Sequence, residues 1–323
     1  MAYTTINKST DYFNTKLYTG NGSTQSITGV GFQPDWVWVK QRGGTTNHKT
    51  SDAVRGATKA LQPNDVDAEA TDSNGITSFD SDGFSLGNGG DYNSSSASQV
   101  AWNWLKSATA GFDIVSYTGN SSARTISHNC GAIPKMMLIK KRSDSDNWSV
   151  YHQGTGAGNY LILNTTSGSG ASSTMWNNTT PTASVFSLGN KGEVNANGQT
   201  FIAYLFAEIP GYSKFGTYTG TGSDVFIYTG FKVGWLLVKN AENTNGWLII
   251  DTKRSPANPQ GKYHYANASS AEGTVTYGEF FSNGFGWKGT GSVAVNQSGE
   301  KFIYYAIAEN PFVTSTGVPA TAR

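Results

Sequence analysis

The scarcest reactive side chains in this 323-residue sequence are four histidines, His48, His128, His152 and His264, and a single cysteine, Cys130. A metal centre or an acid–base pair needs such groups to converge with carboxylates. Here they are scattered. His48 and His152 occupy different places in the internal pattern set out below, and Cys130 has no histidine spaced to activate it. A buried thiol is the simpler reading of Cys130. No Gly-x-Ser-x-Gly elbow, phosphate-cradling loop or zinc spacing occurs. The glycine run from Gly87 to Gly90 follows a strand without opening a helix and reads as a turn. No catalytic residue, metal ligand or cofactor is nominated.

Two acid–base pairs are more site-like. Asp52 with Arg55, and Asp251 with Arg254, are spaced so that carboxylate and guanidinium meet across one tight turn and fix it. A structural pair is preferred to a ligand site, because the matching stretch in mid-chain, His152-Gln-Gly, manages without one. The remaining candidates are aromatic. If Trp102, Trp104, Tyr204, Tyr304 and Tyr305 faced outward, they would stack on sugar faces while Asn and Asp side chains bonded the hydroxyls. Side chains alternate along a strand, so about half of them must face a core instead. Lys40, Lys140 and Lys239 close one strand pattern three times, and their ammonium groups are expected to snorkel to the surface.

The elements that must position these residues come as a repeat. Three openings match, Tyr18-Thr-Gly-Asn-Gly, Tyr117-Thr-Gly-Asn-Ser and Tyr218-Thr-Gly-Thr-Gly. Three strand patterns follow, ending in WVWVKQR, MMLIKKR and WLLVKNA, after which His48, Trp148 and Trp247 align, as do Asp52, His152 and Asp251. Gly83-Phe-Ser-Leu-Gly, Val185-Phe-Ser-Leu-Gly and Gly284-Phe-Gly-Trp-Lys restore the register. The closing segments Asn93 to Lys106, Asn195 to Glu208 and Asn296 to Glu309 then match without gaps. A period of about a hundred residues is too long for a propeller blade or solenoid unit, which run about 20–50. Apolar residues on both faces of WVWVKQR, MMLIKKR and WLLVKNA mark internal strands. Short strands with Gly, Asn and Ser turns predict an all-β chain of three tandem antiparallel β-sandwich or jelly-roll-like modules. Their expected bounds are 12–108, 112–210 and 214–312, each with its own core, after an arm at 1–11 and before a tail at 313–323. No helix of ordinary length stands out, and Ser51 to Leu61 is the stretch expected to form a turn or two of one.

Composition narrows function. With 23 basic and 22 acidic residues, and only 14% charged side chains, nothing favours nucleic acid or an anionic membrane surface. One cysteine allows no intrachain disulfide. The first residues lack a signal-peptide pattern and no run is long enough to span a membrane, so synthesis in a cytoplasm is expected. Sequons at Asn21 and Asn296 are then read as turn chemistry.

The opening MAYTTI…F…YTGNGS, the Gly-Phe-x-Pro-Asp-Trp-Val-Trp-Val-Lys strand, the Asp52–Arg55 turn, Gly-Phe-Ser-Leu-Gly and Ala-Trp-Asn-Trp resemble a family of tandem-module proteins from tailed bacteriophages, especially marine and cyanobacterial ones. The resemblance spans nearly the whole chain and is closest in the first copy. It implies a virion protein, such as a tail fibre, tail appendage or head decoration, with other virion proteins as partners. The expected role is non-enzymatic assembly or host attachment, as a homo-oligomer or lattice-bound unit, with host surface glycans as an alternative partner. A glycan depolymerase is the enzymatic rival, but no pair of carboxylates flanking a cleft can be nominated. Met1 to Tyr12 has no equivalent before the other copies and is a candidate attachment arm.

Overall fold

The computed structural model describes residues 4–311. The chain is all-β, and its six-stranded antiparallel sheets share one strand order. In the first repeat, Phe13–Thr19, Ser98–Trp104, Trp36–Gln41, Lys49–Asp52, Gly56–Leu61 and Ala70–Thr71 lie side by side in that order. The order recurs from Phe112–Thr118 to Gly170–Ala171, and again from Ser213–Thr219 to Gly273–Thr274. A smaller sheet lies against each: Gln25–Thr28, Gly83–Leu86 and Ile76–Asp80 in the first repeat, two strands in the second and three in the third. No strand is exchanged between repeats among the described residues. No helix among them is long and apolar enough to cross a membrane.

Period-two alternation assigns the two faces of each large sheet to different cores. In Trp36–Gln41, Val37 and Val39 pack with Ile27, Phe84 and Leu86 of the repeat's own small sheet. Trp36 and Trp38 point the other way. There they join Leu138, Trp148 and Tyr204 of the second repeat and Trp235, Trp247 and Tyr305 of the third in one continuous cluster. The closing strand Thr200–Ala207 divides likewise, with Phe201, Ala203 and Leu205 inside its sandwich and Ile202, Tyr204 and Phe206 in the shared cluster. The expectation that these strands are internal therefore holds for both faces.

The expectation of three self-sufficient cores needs correction. Each sandwich has an inner core, but the outer face of its large sheet is buried only against the other two repeats. Burial of a large apolar side chain contributes about 1.5–3 kcal/mol, so a single repeat would leave much of its stabilising surface bare. The segment Ser51 to Leu61 also departs from expectation. It is a hairpin of Lys49–Asp52 and Gly56–Leu61, with Asp52 opposite Gly56, and contains no helical turn.

The repeated motifs tie each sandwich together. The hydroxyls of Tyr18, Tyr117 and Tyr218 donate to the carbonyls of Tyr92, Val194 and Val295. Beside them, buried Asn93, Asn195 and Asn296 each accept from the backbone of the opening turn and donate to two carbonyls. Asn296 is thus engaged in turn chemistry, as its sequence context suggested.

The proposed N-terminal arm is also corrected where it is described. Ile6 is fully buried in the shared cluster, which also takes Ala110 and Tyr212 from the segments before the second and third repeats. Tyr12 meets Tyr212 edge-on at 6.2 Å. Residues 4–11 therefore have a packing role in the fold. Met1 to Tyr3, and the tail from 312 on, lie outside the described residues.

Candidate functional site

The most elaborate polar chemistry of the molecule lies at the seams between repeats. At the first seam, Asp52 accepts from the backbone N–H of Arg55 at 2.9 Å and forms a buried ion pair with its guanidinium. The turn is fixed as the spacing predicted, but the same carboxylate also accepts from Tyr204 Oη of the second repeat at 2.6 Å. Arg55 then contacts Glu69 at 3.2 Å, and Glu69 receives a two-pronged bond from Arg142 of the second repeat at 2.8 and 3.0 Å. Burial opposes ionisation of Glu69, yet the Arg142 hydrogen bond and the charges of Arg55 and Arg142 hold its carboxyl below the ordinary range. One continuous chain, Tyr204–Asp52–Arg55–Glu69–Arg142, thus joins the two repeats at both ends.

The seam from the third repeat back to the first is built the same way. Asp251 pairs with Arg254 at 2.6 Å and accepts from Trp102 Nε1 of the first repeat at 3.1 Å. The Arg254 guanidinium lies 5.3 Å from the centre of the Trp102 ring, within the range of a cation–π contact. Arg254 also touches Glu272, which Arg42 of the first repeat grips through two bonds of 2.8 Å. Contacts run from first to second, second to third and third to first, so the chain closes as a cyclic trimer of repeats.

The second-to-third seam keeps the backbone contact and changes the chemistry. Ser169 N–H donates to the Ala241 carbonyl at 2.7 Å, as Glu69 does to Arg142 and Glu272 to Arg42. Ala241 replaces the arginine and His152 replaces the aspartate. His152 Nδ1 accepts from Gly154 N–H at 3.0 Å, so Nε2 carries the proton and donates to the Tyr304 carbonyl of the third repeat at 3.2 Å. His48 follows the same logic at the third-to-first seam. The Trp38 indole can only donate, so His48 Nδ1 accepts from it at 2.8 Å, and Nε2 donates to the Tyr265 carbonyl at 3.1 Å. Burial pushes the His48 imidazole down to about 3, helped by the charge of Lys40, and pushes His152 down to about 4. Trp148 and Trp247, aligned with His48, also donate across seams, to the carbonyls of Gln62 and Ile162.

Several sequence-nominated residues are placed differently from expectation. Trp102, Trp104, Tyr204, Tyr304 and Tyr305 are all 0–5% exposed and cannot present a ring to a glycan. The outward half of each closing strand is covered by sister repeats, which a pattern within one repeat cannot reveal. Lys40, Lys140 and Lys239 do not snorkel. Their buried ammonium groups donate to backbone carbonyls, including Val66 across the first seam for Lys140 and Thr166 across the second for Lys239. Burial pulls each of the three down to about 8. Cys130 is buried, and burial pushes its thiol up, away from the reactive thiolate. No group of three metal-ligating side chains occurs among the described residues.

The sequence reading missed the exposed aromatics. In the third repeat's small sheet, Phe226, Tyr228 and Phe281 are 50%, 61% and 40% exposed. They line or adjoin a groove of about 480 Å³ with Asp224, Glu279, Gly286, Trp287 and Lys288. The usable signal was Val225-Phe-Ile-Tyr228, which is apolar at every position of a strand that must have one face in solvent.

A family model, described as a domain of unknown function (DUF7483), matches residues 8–311. The chain belongs to that family. Comparison with curated proteins finds no match. The matched span takes in all three repeats, so the DUF7483 unit is the whole triplet. That agrees with a shared core that no single repeat can complete.

Proposed function

We propose that this DUF7483 protein is a non-enzymatic structural protein, a rigid three-part block built into a larger particle for assembly or surface attachment. The particle we propose is a tailed-phage virion, in keeping with the sequence resemblance. The observation that carries the reading is the cyclic closure. Asp52, Arg55, Asp251 and Arg254, the most site-like polar side chains, are fully engaged in joining repeats around one core. Two of the molecule's buried carboxylates, Asp52 and Asp251, are thus held by arginine and shut off from solvent, so these pairs cannot serve as the cleft carboxylates of a glycan depolymerase. One chain supplies the threefold arrangement that identical subunits would otherwise have to assemble. Mass spectrometry of purified particles should find the protein in fixed stoichiometry with other virion components. Absence from particles, or shortening of host surface polysaccharide by the purified protein, would overturn the proposal.

A further inference from the structure

The third repeat carries on its outer surface something the other two lack. Its small sheet has Gly284–Trp287 in the middle, flanked by Val225–Tyr228 and Gly278–Phe281. The register sets Phe226 and Glu279 on either side of Gly286, and Tyr228 and Phe281 on either side of Gly284. Both outward positions of the middle strand are therefore glycine. A Cβ on Gly284 would meet first the Ile227 carbonyl and then the Phe226 ring at 2.8 Å, and one on Gly286 first the Val225 carbonyl at 2.5 Å and then the Phe281 ring at 3.0 Å. The rings lean across the bare middle strand and meet each other edge-on at 5.5 Å.

The same places in the first repeat hold Ser26, Thr28, Ser85 and Gly83, with Ser78 and Asp80 on the far strand, and Ser26 and Ser85 hydrogen-bond across the strands at 2.9 Å. In the second repeat they hold Thr125, Ser127 and Ser187. The sandwich is thus built twice without these aromatics, and packing gives no reason for them in the third copy. Between the first repeat and the third, Ser85 has become Gly286 while Ser26 and Thr28 have become Phe226 and Tyr228, a change that makes an exposed apolar patch.

We infer that this face of the third repeat binds a neutral glycan, with the apolar face of a hexopyranose ring stacked on Phe226 and flanked by Phe281. Tyr228 extends the row for a second sugar. Glu279 and Lys288 line the groove, and neither forms an ion pair with a described residue. They offer an acceptor and a donor to ring hydroxyls. Asp224, whose carboxylate already accepts from Gly289 N–H at 2.6 Å, adds a negative charge that disfavours acidic sugars. Size argues for a small ligand over a protein. The half-exposed rings present roughly 300 Å², well short of the roughly 800 Å² per partner that a stable protein interface buries. A groove of about 480 Å³ falls within the range of small-ligand sites. The inference is independent of whether the protein belongs to a virion.

The test is calorimetric and NMR titration of the full chain with maltotetraose, cellotetraose and β-1,4-galactotetraose, with tetragalacturonate as the acidic counterpart. At least one neutral probe should bind with millimolar or better affinity and shift the resonances of the third small sheet. Phe226→Ser and Phe281→Ala should each weaken binding at least tenfold with an unchanged unfolding midpoint, because both rings stand outside the cores. Matched changes in the first repeat, such as Ser26→Ala, should leave binding unaltered. Failure of all three neutral probes at millimolar concentration overturns the inference. So does binding that survives Phe226→Ser, or a concentration-dependent dimer that Phe226→Ser abolishes, which would make a second copy the occupant.

Discussion

The seam between the first and second repeats and the seam between the second and third share a backbone contact but not a chemistry. At the first, an aspartate, two arginines, a glutamate and a tyrosine form one connected network, buried at Asp52, Arg55 and Tyr204. At the second, a neutral histidine reaches a carbonyl, and alanine stands where an arginine could have been. The third-to-first seam follows the charged pattern, with Trp102 in place of the tyrosine. What joins the repeats in common is therefore the apolar cluster and the edge backbone bonds, and the ionic networks are added on two seams of three. Buried ion pairs are weak contributors to net stability but costly to half-remove, so the two kinds of seam should respond differently to damage.

The largest expected effect concerns the cluster that all seams share. The second repeat alone, residues 112–210, should not persist as a soluble folded monomer, because Met136, Leu138, Trp148, Tyr204 and Phe206 would lie bare. A well-dispersed NMR spectrum from monomeric 112–210 would show that the shared cluster is dispensable. Next comes Asp52→Ala, which leaves the buried Arg55 guanidinium with only its longer pair to Glu69 and should cost about 3–5 kcal/mol in urea unfolding. His152→Ala at the other kind of seam should cost less, about 1–3 kcal/mol, as it removes one neutral hydrogen bond and leaves a small cavity. Equal costs would mean that the ionic chemistry of the first seam does not matter.

Acid should act through the histidines of both kinds of seam. His48 and His152 are held neutral in the folded chain but take up a proton near pH 6.5 when unfolded. Their contribution is thus complete above about pH 6.5 and lost as pH falls towards about 4 for His152 and about 3 for His48. Within that window stability should drop by about 1.4 kcal/mol per pH unit for each histidine, and His152→Asn should remove one proton from the slope. A flat stability profile between pH 6.5 and 4.5 would contradict this. Tyr204→Phe, which deletes only the hydroxyl bonded to Asp52, should cost about 1–2 kcal/mol and leave the pH slope intact. The smallest effect is expected from converting one seam into the other. Ser169→Glu with Ala241→Arg would copy the Glu69–Arg142 pair, and a double-mutant cycle should give a coupling of about 0.2–1 kcal/mol for a pair near the surface. No coupling at all would mean that the second seam's geometry excludes the pair.

Much of the fold was legible locally. Matching Tyr-Thr-Gly openings and gap-free closing segments revealed the repeat, and alternating apolar residues on both faces of Trp36–Gln41 marked an internal strand. The three-residue spacing of Asp52 and Arg55 was enough to foresee their pairing, since both partners lie on one turn. The apolar patch on the third repeat was half legible. Phe226 and Tyr228 lie in a stretch too apolar for a surface strand, a signal that was present but missed, and their neighbours Glu279 and Phe281 come from another strand.

By itself the sequence determined that the chain is β-rich, that its pattern recurs, and that both faces of its central strands must be buried. Only the tertiary structure decided what buries the second face. Alternation along a strand is a local property of successive Cβ directions, and it says that a ring leaves water without saying what displaces the water. For Trp102, Tyr204 and Tyr305 the covering surface comes from repeats far away in the chain. The same holds for Lys140 and Lys239, whose carbonyl partners Val66 and Thr166 belong to the preceding repeat. Residues read as open to a glycan or to solvent are therefore the ones that seal the molecule, because three incomplete surfaces are stable only when each covers the next.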